Sequence, residues 1–122
     1  MPYRRKEAFR YAFKQPIIGK FKLIKLANKE VSSSEGQLKI LDISRGGLRG
    51  NSTLSLPDPK LAHTSMEIDF KLNSNNVILI GTIVWKKTLA HSFEYGIEFT
   101  SNEQERTYLL DEIKKFVREN KE

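Results

Sequence analysis

The chain has 122 residues, the size of one ordinary domain, and its 39% hydrophobic and 30% charged content is that of a soluble globular protein. Its longest apolar runs, residues 77–80 and 83–85, fall far short of the ~20 residues of a membrane span, so membrane insertion is not expected. Cysteine is absent, and His63 and His91 lack acidic neighbours at metal-ligand spacing, which excludes disulfides and thiolate chemistry and argues against a metal site.

The net charge of +6 is unevenly spread. Residues 1–30 hold nine Lys/Arg against Glu7 and Glu30, an excess of seven; the remaining residues hold twelve against thirteen acids. A basic N-terminal quarter implies an anionic partner or a solvated basic strand face. The opening stretch MPYRRKEAFRY has charges but no apolar core, so it is not a secretory signal, and a cytoplasmic location is expected.

In chain order, residues 20–26 alternate imperfectly between lysines and apolar residues, and residues 37–44 place Leu38 and Ile40 on one face. Turn-forming residues dominate 32–36, 45–52, 56–60 and 73–76. Residues 66–72 alternate without a fault, with Met66, Ile68, Phe70 and Leu72 inward. Residues 77–86 form a continuous β-branched run that reads as a strand buried on both sides. Residues 93–99 alternate again, with Phe93, Tyr95, Ile97 and Phe99 on one face. Ser101-Asn102-Glu103-Gln104 has the form of a capping box, opening a helix whose apolar stripe is Leu109, Ile113, Phe116 and Val117. Short strands, regular turns and one closing helix predict a small antiparallel barrel or sandwich.

No strand–turn–helix nucleophile elbow and no phosphate-cradling glycine loop occurs, so a binding module is expected and not an enzyme. Two segments stand out. Arg4-Arg5-Lys6-Glu7-Ala8-Phe9-Arg10 carries four cations in seven residues. Asp42-Ile43-Ser44-Arg45-Gly46-Gly47-Leu48 ends a strand, with Asp42 and Ser44 two residues apart and so on one side. Gly46 and Gly47 then allow a tight, left-handed turn and close approach of a flat ligand. An Asp carboxylate can accept from a guanine edge, and arginines bind phosphates and stack on purines. The same residues also make an Asp/Ser-stabilised turn beside a frayed basic terminus. Arg45 and Arg49 flank the turn as phosphate contacts or surface charges. Trp85 reads as a core or rim anchor, or as a base-stacking platform.

Taken together, these segments resemble the PilZ domain family. Asp42-x-Ser44-x-x-Gly47 matches its DxSxxG motif, the basic cluster stands where the family has RxxxR, and Tyr95-Gly96-Ile97-Glu98-Phe99 is similar to a late family strand. In strict register Arg10 is the second arginine and the first falls on Lys6, with Arg5 one position early; lysine lacks the planar fork of arginine. The resemblance implies a six-stranded antiparallel barrel with a C-terminal helix that binds the bacterial second messenger cyclic di-GMP. By that resemblance the ligand-binding residues are Arg5, Lys6, Arg10, Asp42, Ser44 and Gly47, with Arg4, Arg45, Gly46 and Trp85 as further candidates. One domain is expected: a flexible basic switch segment over 1–9, a barrel over 10–100 and a helix over 101–120. The implied function is a cyclic di-GMP receptor that relays the signal to a protein partner; the alternative is a nucleotide-independent adaptor working by protein contacts. A nucleic-acid partner is not expected, because the basic excess is confined to residues 1–30 and the aromatics alternate on inward faces.

Overall fold

Alternating side chains give each strand one dry face, and a small sheet hides that face most completely by closing on itself. The computed structural model describes residues 10–120. Its elements are β1 (Arg10–Leu26), β2 (Lys29–Glu30), β3 (Gly36–Ser44), β4 (Gly47–Ser52), β5 (Thr64–Lys71), β6 (Asn76–Thr88), β7 (Phe93–Phe99) and α1 (Glu103–Asn120). The sheet order is β2-β1-β3-β4-β7-β6-β5, and β1 also pairs with β5. Six antiparallel strands therefore form a closed barrel, and the two-residue β2 folds back antiparallel on the end of β1. Closure works because β1 is long: its first part pairs with β3 and its last part with β5.

The interior holds Leu38, Ile40, Ile43, Met66, Ile68, Phe70, Val77, Leu79, Tyr95 and Ile97, all buried. The faultless alternations over β5 and β7 face as predicted. Three expectations are corrected. Residues 45–52, read as turn, contain β4: its Gly47, Gly50 and Asn51 are poor strand formers, but the strand is held on both sides by β3 and β7. β6 is dry on one face only, with Ile78 and Val84 about half exposed, because a barrel wall has solvent on its outside. The helix cap is Asn102, one residue later than the Ser101 pattern. Asn102 Oδ1 accepts from the Glu105 amide at 2.8 Å, while Glu105 Oε1 accepts from the Asn102 amide at 3.2 Å. Ser101 is spent elsewhere, its Oγ accepting from the Ile80 amide at 3.0 Å.

The helix packs on the barrel through Leu109, Ile113 and Phe116. Phe116 meets Tyr11 and Phe13 edge-to-face, with ring centroids 6.1 and 5.5 Å away. Asn73, in the β5–β6 turn, donates to the Glu112 carbonyl and carboxylate at 3.1 and 2.9 Å.

Tyr95 ties the β4–β5 connection to the core. Its buried hydroxyl donates to the Leu54 carbonyl at 2.7 Å and accepts from the Leu56 amide at 2.8 Å. Burial pushes the phenol above its ordinary value of 10.0. A raised folded value means that the neutral form is favoured by folding: the stabilisation is complete below about pH 10 and is lost as pH rises through the folded value. Tyr95→Phe should cost about 1–3 kcal/mol by orphaning the Leu54 carbonyl and Leu56 amide. Urea unfolding at pH 8 and pH 11 checks both points: the wild type should lose stability between the two, and the variant should lose less.

Candidate functional site

A strictly alternating β3 would send Asp42 inward with Leu38 and Ile40. It does not, because Ile40 pairs with Gly50 and Asp42 with Arg49, leaving Leu41 unmatched. This bulge shifts the inward phase to Ile43, which is fully buried, and turns Asp42 to the outer wall. β6 breaks phase in the same way. Ile83 pairs with Ile97 and Trp85 with Gly96, so Val84 is the extra residue and Trp85 leaves the interior. The registers then align Ala12, Asp42, Arg49, Gly96 and Trp85 in one row across five adjacent strands.

Over this row lies a cleft of about 710 Å³, lined by Arg10, Asp42, Gly46, Gly47, Arg49, Val84, Trp85 and Glu98 among others. Its two walls differ in character. On one, Asp42 receives an Arg10 Nη1 hydrogen bond at Oδ1 and an Arg49 Nε hydrogen bond at Oδ2, the latter at 2.8 Å. Arg49 Nη1 also donates to Glu94 Oε2 at 2.9 Å. The side chain of Asp42 is 11% exposed and those of Arg10 and Arg49 about 40%. Hydrogen bonds to Asp42 and then Glu94 push the Arg49 guanidinium above its ordinary value. The other wall is apolar, formed by Val84 and the Trp85 indole. The indole lies on the Gly96 backbone so closely that a Cβ there would stand 2.0 Å from Trp85 Nε1.

Of the residues singled out from sequence, Arg10, Asp42, Gly46, Gly47 and Trp85 all line this cleft. Ser44 is fully buried beside it; its Oγ accepts from the Gly46 amide at 3.3 Å and helps shape the turn. Arg45 points away, hydrogen-bonded to Glu103 in the first turn of α1, and with Arg106 it holds that carboxyl below its ordinary value. Arg4, Arg5 and Lys6 lie outside the described residues. The expected left-handed glycine turn is corrected: no described glycine has positive φ, and the left-handed residues are Ala27 and Asn28 in the β1–β2 turn. Gly47 is required for another reason, since a Cβ would meet the Ile97 carbonyl oxygen at 2.4 Å.

Sequence reasoning missed the acidic partner Glu94 and the pairing of Arg49 with Asp42. The second was legible. A two-residue turn at Arg45-Gly46 places Ser44 beside Gly47, Ile43 beside Leu48 and Asp42 beside Arg49, but only if 47–52 is recognised as a strand. Glu94 becomes a neighbour only through the β4–β7 pairing, which no local pattern announces.

Comparisons with known proteins bear on the whole arrangement. The PilZ domain family model matches residues 4–119, and the chain belongs to this family. Among solved structures, it is similar to the PilZ domain with c-di-GMP of YcgR from Escherichia coli: identity 15%, TM-score 0.64, with 96% of this chain and 94% of that chain covered. It is also similar to the Bacillus subtilis inhibitor of motility MotI/DgrA: identity 12%, TM-score 0.63, covering 98% of this chain. It spans 54% of that protein. At these identities both likenesses concern the fold. No curated protein matches the chain significantly.

The seat of the indole makes Gly96 testable. Gly96→Ala should lift Trp85 from the wall at a cost of about 1–3 kcal/mol. Trp85 is the one tryptophan of the chain. Its fluorescence emission should therefore shift to longer wavelength while the far-ultraviolet circular dichroism spectrum stays that of the wild type.

Proposed function

We infer that this protein is a cyclic di-GMP receptor, a non-enzymatic effector that passes the presence of the messenger to a protein partner in the cytoplasm. The observation that carries this reading is the two-walled cleft: a carboxylate flanked by arginines faces an indole across a glycine-lined floor. Family membership supports it, as does the bound c-di-GMP named for the structurally similar YcgR domain.

Each group has a role in keeping with its chemistry. Asp42 accepts from the N1–H and 2-amino edge of guanine; a carboxylate has about four lone-pair sites, and two of those on Asp42 are filled in the free protein. Arg10, at the start of β1, moves from Asp42 to a ligand phosphate. Gly46 and Gly47 let the ligand approach the backbone, and Trp85 supplies a flat apolar surface for a base. Among the described residues the cleft does not supply a cationic surplus: Arg10 and Arg49 are balanced by Asp42 and Glu98, with Glu94 close behind. A dianionic ligand therefore depends on Arg4, Arg5 and Lys6, and in this reading residues 1–9 act as the basic segment that folds over it.

A second reading, the nucleotide-independent adaptor, is favoured by one observation: both Asp42 oxygens are already occupied by arginines. Calorimetric titration decides between the two. Cyclic di-GMP should bind saturably, while GTP, cyclic di-AMP and single-stranded DNA should not compete; absence of saturable binding favours the adaptor. Asp42→Ala should abolish specific binding with the fold intact by circular dichroism. Arg10→Ala should cost ~2–5 kcal/mol, roughly 30-fold or more in affinity. Replacing Arg4, Arg5 and Lys6 together by alanine should weaken binding at least as much and flatten its dependence on salt.

A further inference from the structure

Arg49 is held in an unusual way for a surface arginine. Two nitrogens of its planar guanidinium each donate to a different, largely buried carboxylate: Nε to Asp42 at 2.8 Å and Nη1 to Glu94 at 2.9 Å. The side chains of those acids are 11% and 14% exposed, whereas that of Arg49 is 41% exposed and lines the cleft. A single ion pair would leave the group free to swivel; two from separate strands, β3 and β7, fix its plane as well as its position. Its cross-strand neighbour on β7 is Gly96, which has no side chain to cover it. The next residue along the row is Trp85. Along this row, between the carboxylate that reads a base edge and the indole, Arg49 is therefore a clamped, planar cation.

We propose that Arg49 is a preset stacking platform of the cleft, and that Glu94 is the residue that positions it. A purine whose edge reaches Asp42 lies over this row, and a guanidinium held parallel to its face binds it by cation–π attraction and stacking. A platform clamped before the ligand arrives loses little freedom on binding. The proposal rests on the cyclic dinucleotide reading of the cleft and adds to it a residue that neither family motif contains.

Charge alone and the platform predict different outcomes, of opposite sign for one variant. Arg49→Lys keeps the charge but not the plane; on charge alone affinity is unchanged, whereas loss of the platform weakens cyclic di-GMP binding on the order of threefold to thirtyfold. Glu94→Gln removes a negative charge beside a dianionic ligand, so charge alone tightens binding, whereas loss of the clamp weakens it. Both variants and the wild type are titrated with cyclic di-GMP by calorimetry. Nitrogen-15 relaxation of Arg49 Nε in the ligand-free proteins is measured alongside, and it should show an ordered side chain in the wild type and a loosened one in Glu94→Gln. If Arg49→Lys is poorly folded, Glu94→Gln and its relaxation carry the test. A wild type that binds while Arg49→Lys matches it, or while Glu94→Gln binds more tightly, overturns the platform and leaves the receptor reading standing. A wild type that does not bind cyclic di-GMP overturns the receptor reading and the platform with it.

Discussion

The period of two along a β-strand leaves a closed barrel little room for chemistry, because each polar residue in phase with the core must enter the core. In β3 that phase belongs to Leu38 and Ile40, and in β6 to Val77, Leu79 and Ile83. Continued unbroken, it would bury the Asp42 carboxylate and the Trp85 indole inside the barrel, and an unpaired carboxylate there costs many kcal/mol. One extra residue in each strand, Leu41 and Val84, moves both side chains to the same outer wall. The other features of the cleft follow from that slip: Arg49 finds Asp42 across the β3–β4 pair, and Gly96 gives the indole a place to lie.

Electrostatics then decides what the wall can accept. Asp42 is nearly enclosed and holds two guanidinium groups, so it is neither free nor costly: its burial is offset by charge-assisted hydrogen bonds. Around it the described charges almost cancel, and the described part of the basic N-terminal excess (Lys14, Lys20, Lys22 and Lys25) runs along the outside of β1. The helix touches the same machinery from both directions. Arg45, inside the motif turn, binds Glu103 at its start, and Tyr11, next to Arg10, packs on Phe116 near its end. α1 is thus fastened to the two chain segments that supply the site without contributing a side chain to it.

How much of this could be read from the chain depended on whether the signal was local. The alternations over β5 and β7 are uninterrupted, and their inward residues could be named from spacing alone. The helix stripe was equally plain, although its cap lies one residue later because Ser101 is drawn to the Ile80 amide. β4 was hidden: Gly47, Gly50 and Asn51 signal a turn, and only two neighbouring strands make them a strand. Gly50 sits where a Cβ would press on Leu38 at 2.8 Å, a packing demand that composition does not reveal. The motif residues Asp42 and Gly47 were recognisable as a pattern, but the pattern does not say that Asp42 faces outward, since that depends on a bulge set by the pairing with β4. The same applies to Trp85, whose position depends on Val84, and to Glu94, which becomes relevant only through register.

The contact between Trp85 and Gly96 has a consequence for inheritance. These residues are eleven apart in the chain yet occupy one volume, since the indole fills the space that any side chain at 96 would claim. Neither position can drift alone: a larger residue at 96 expels the ring, and loss of the ring removes the reason for glycine while leaving a weak point in a central strand. Descendants of this chain should therefore change both positions together or neither, so that a glycine at 96 marks a lineage that still keeps its aromatic wall.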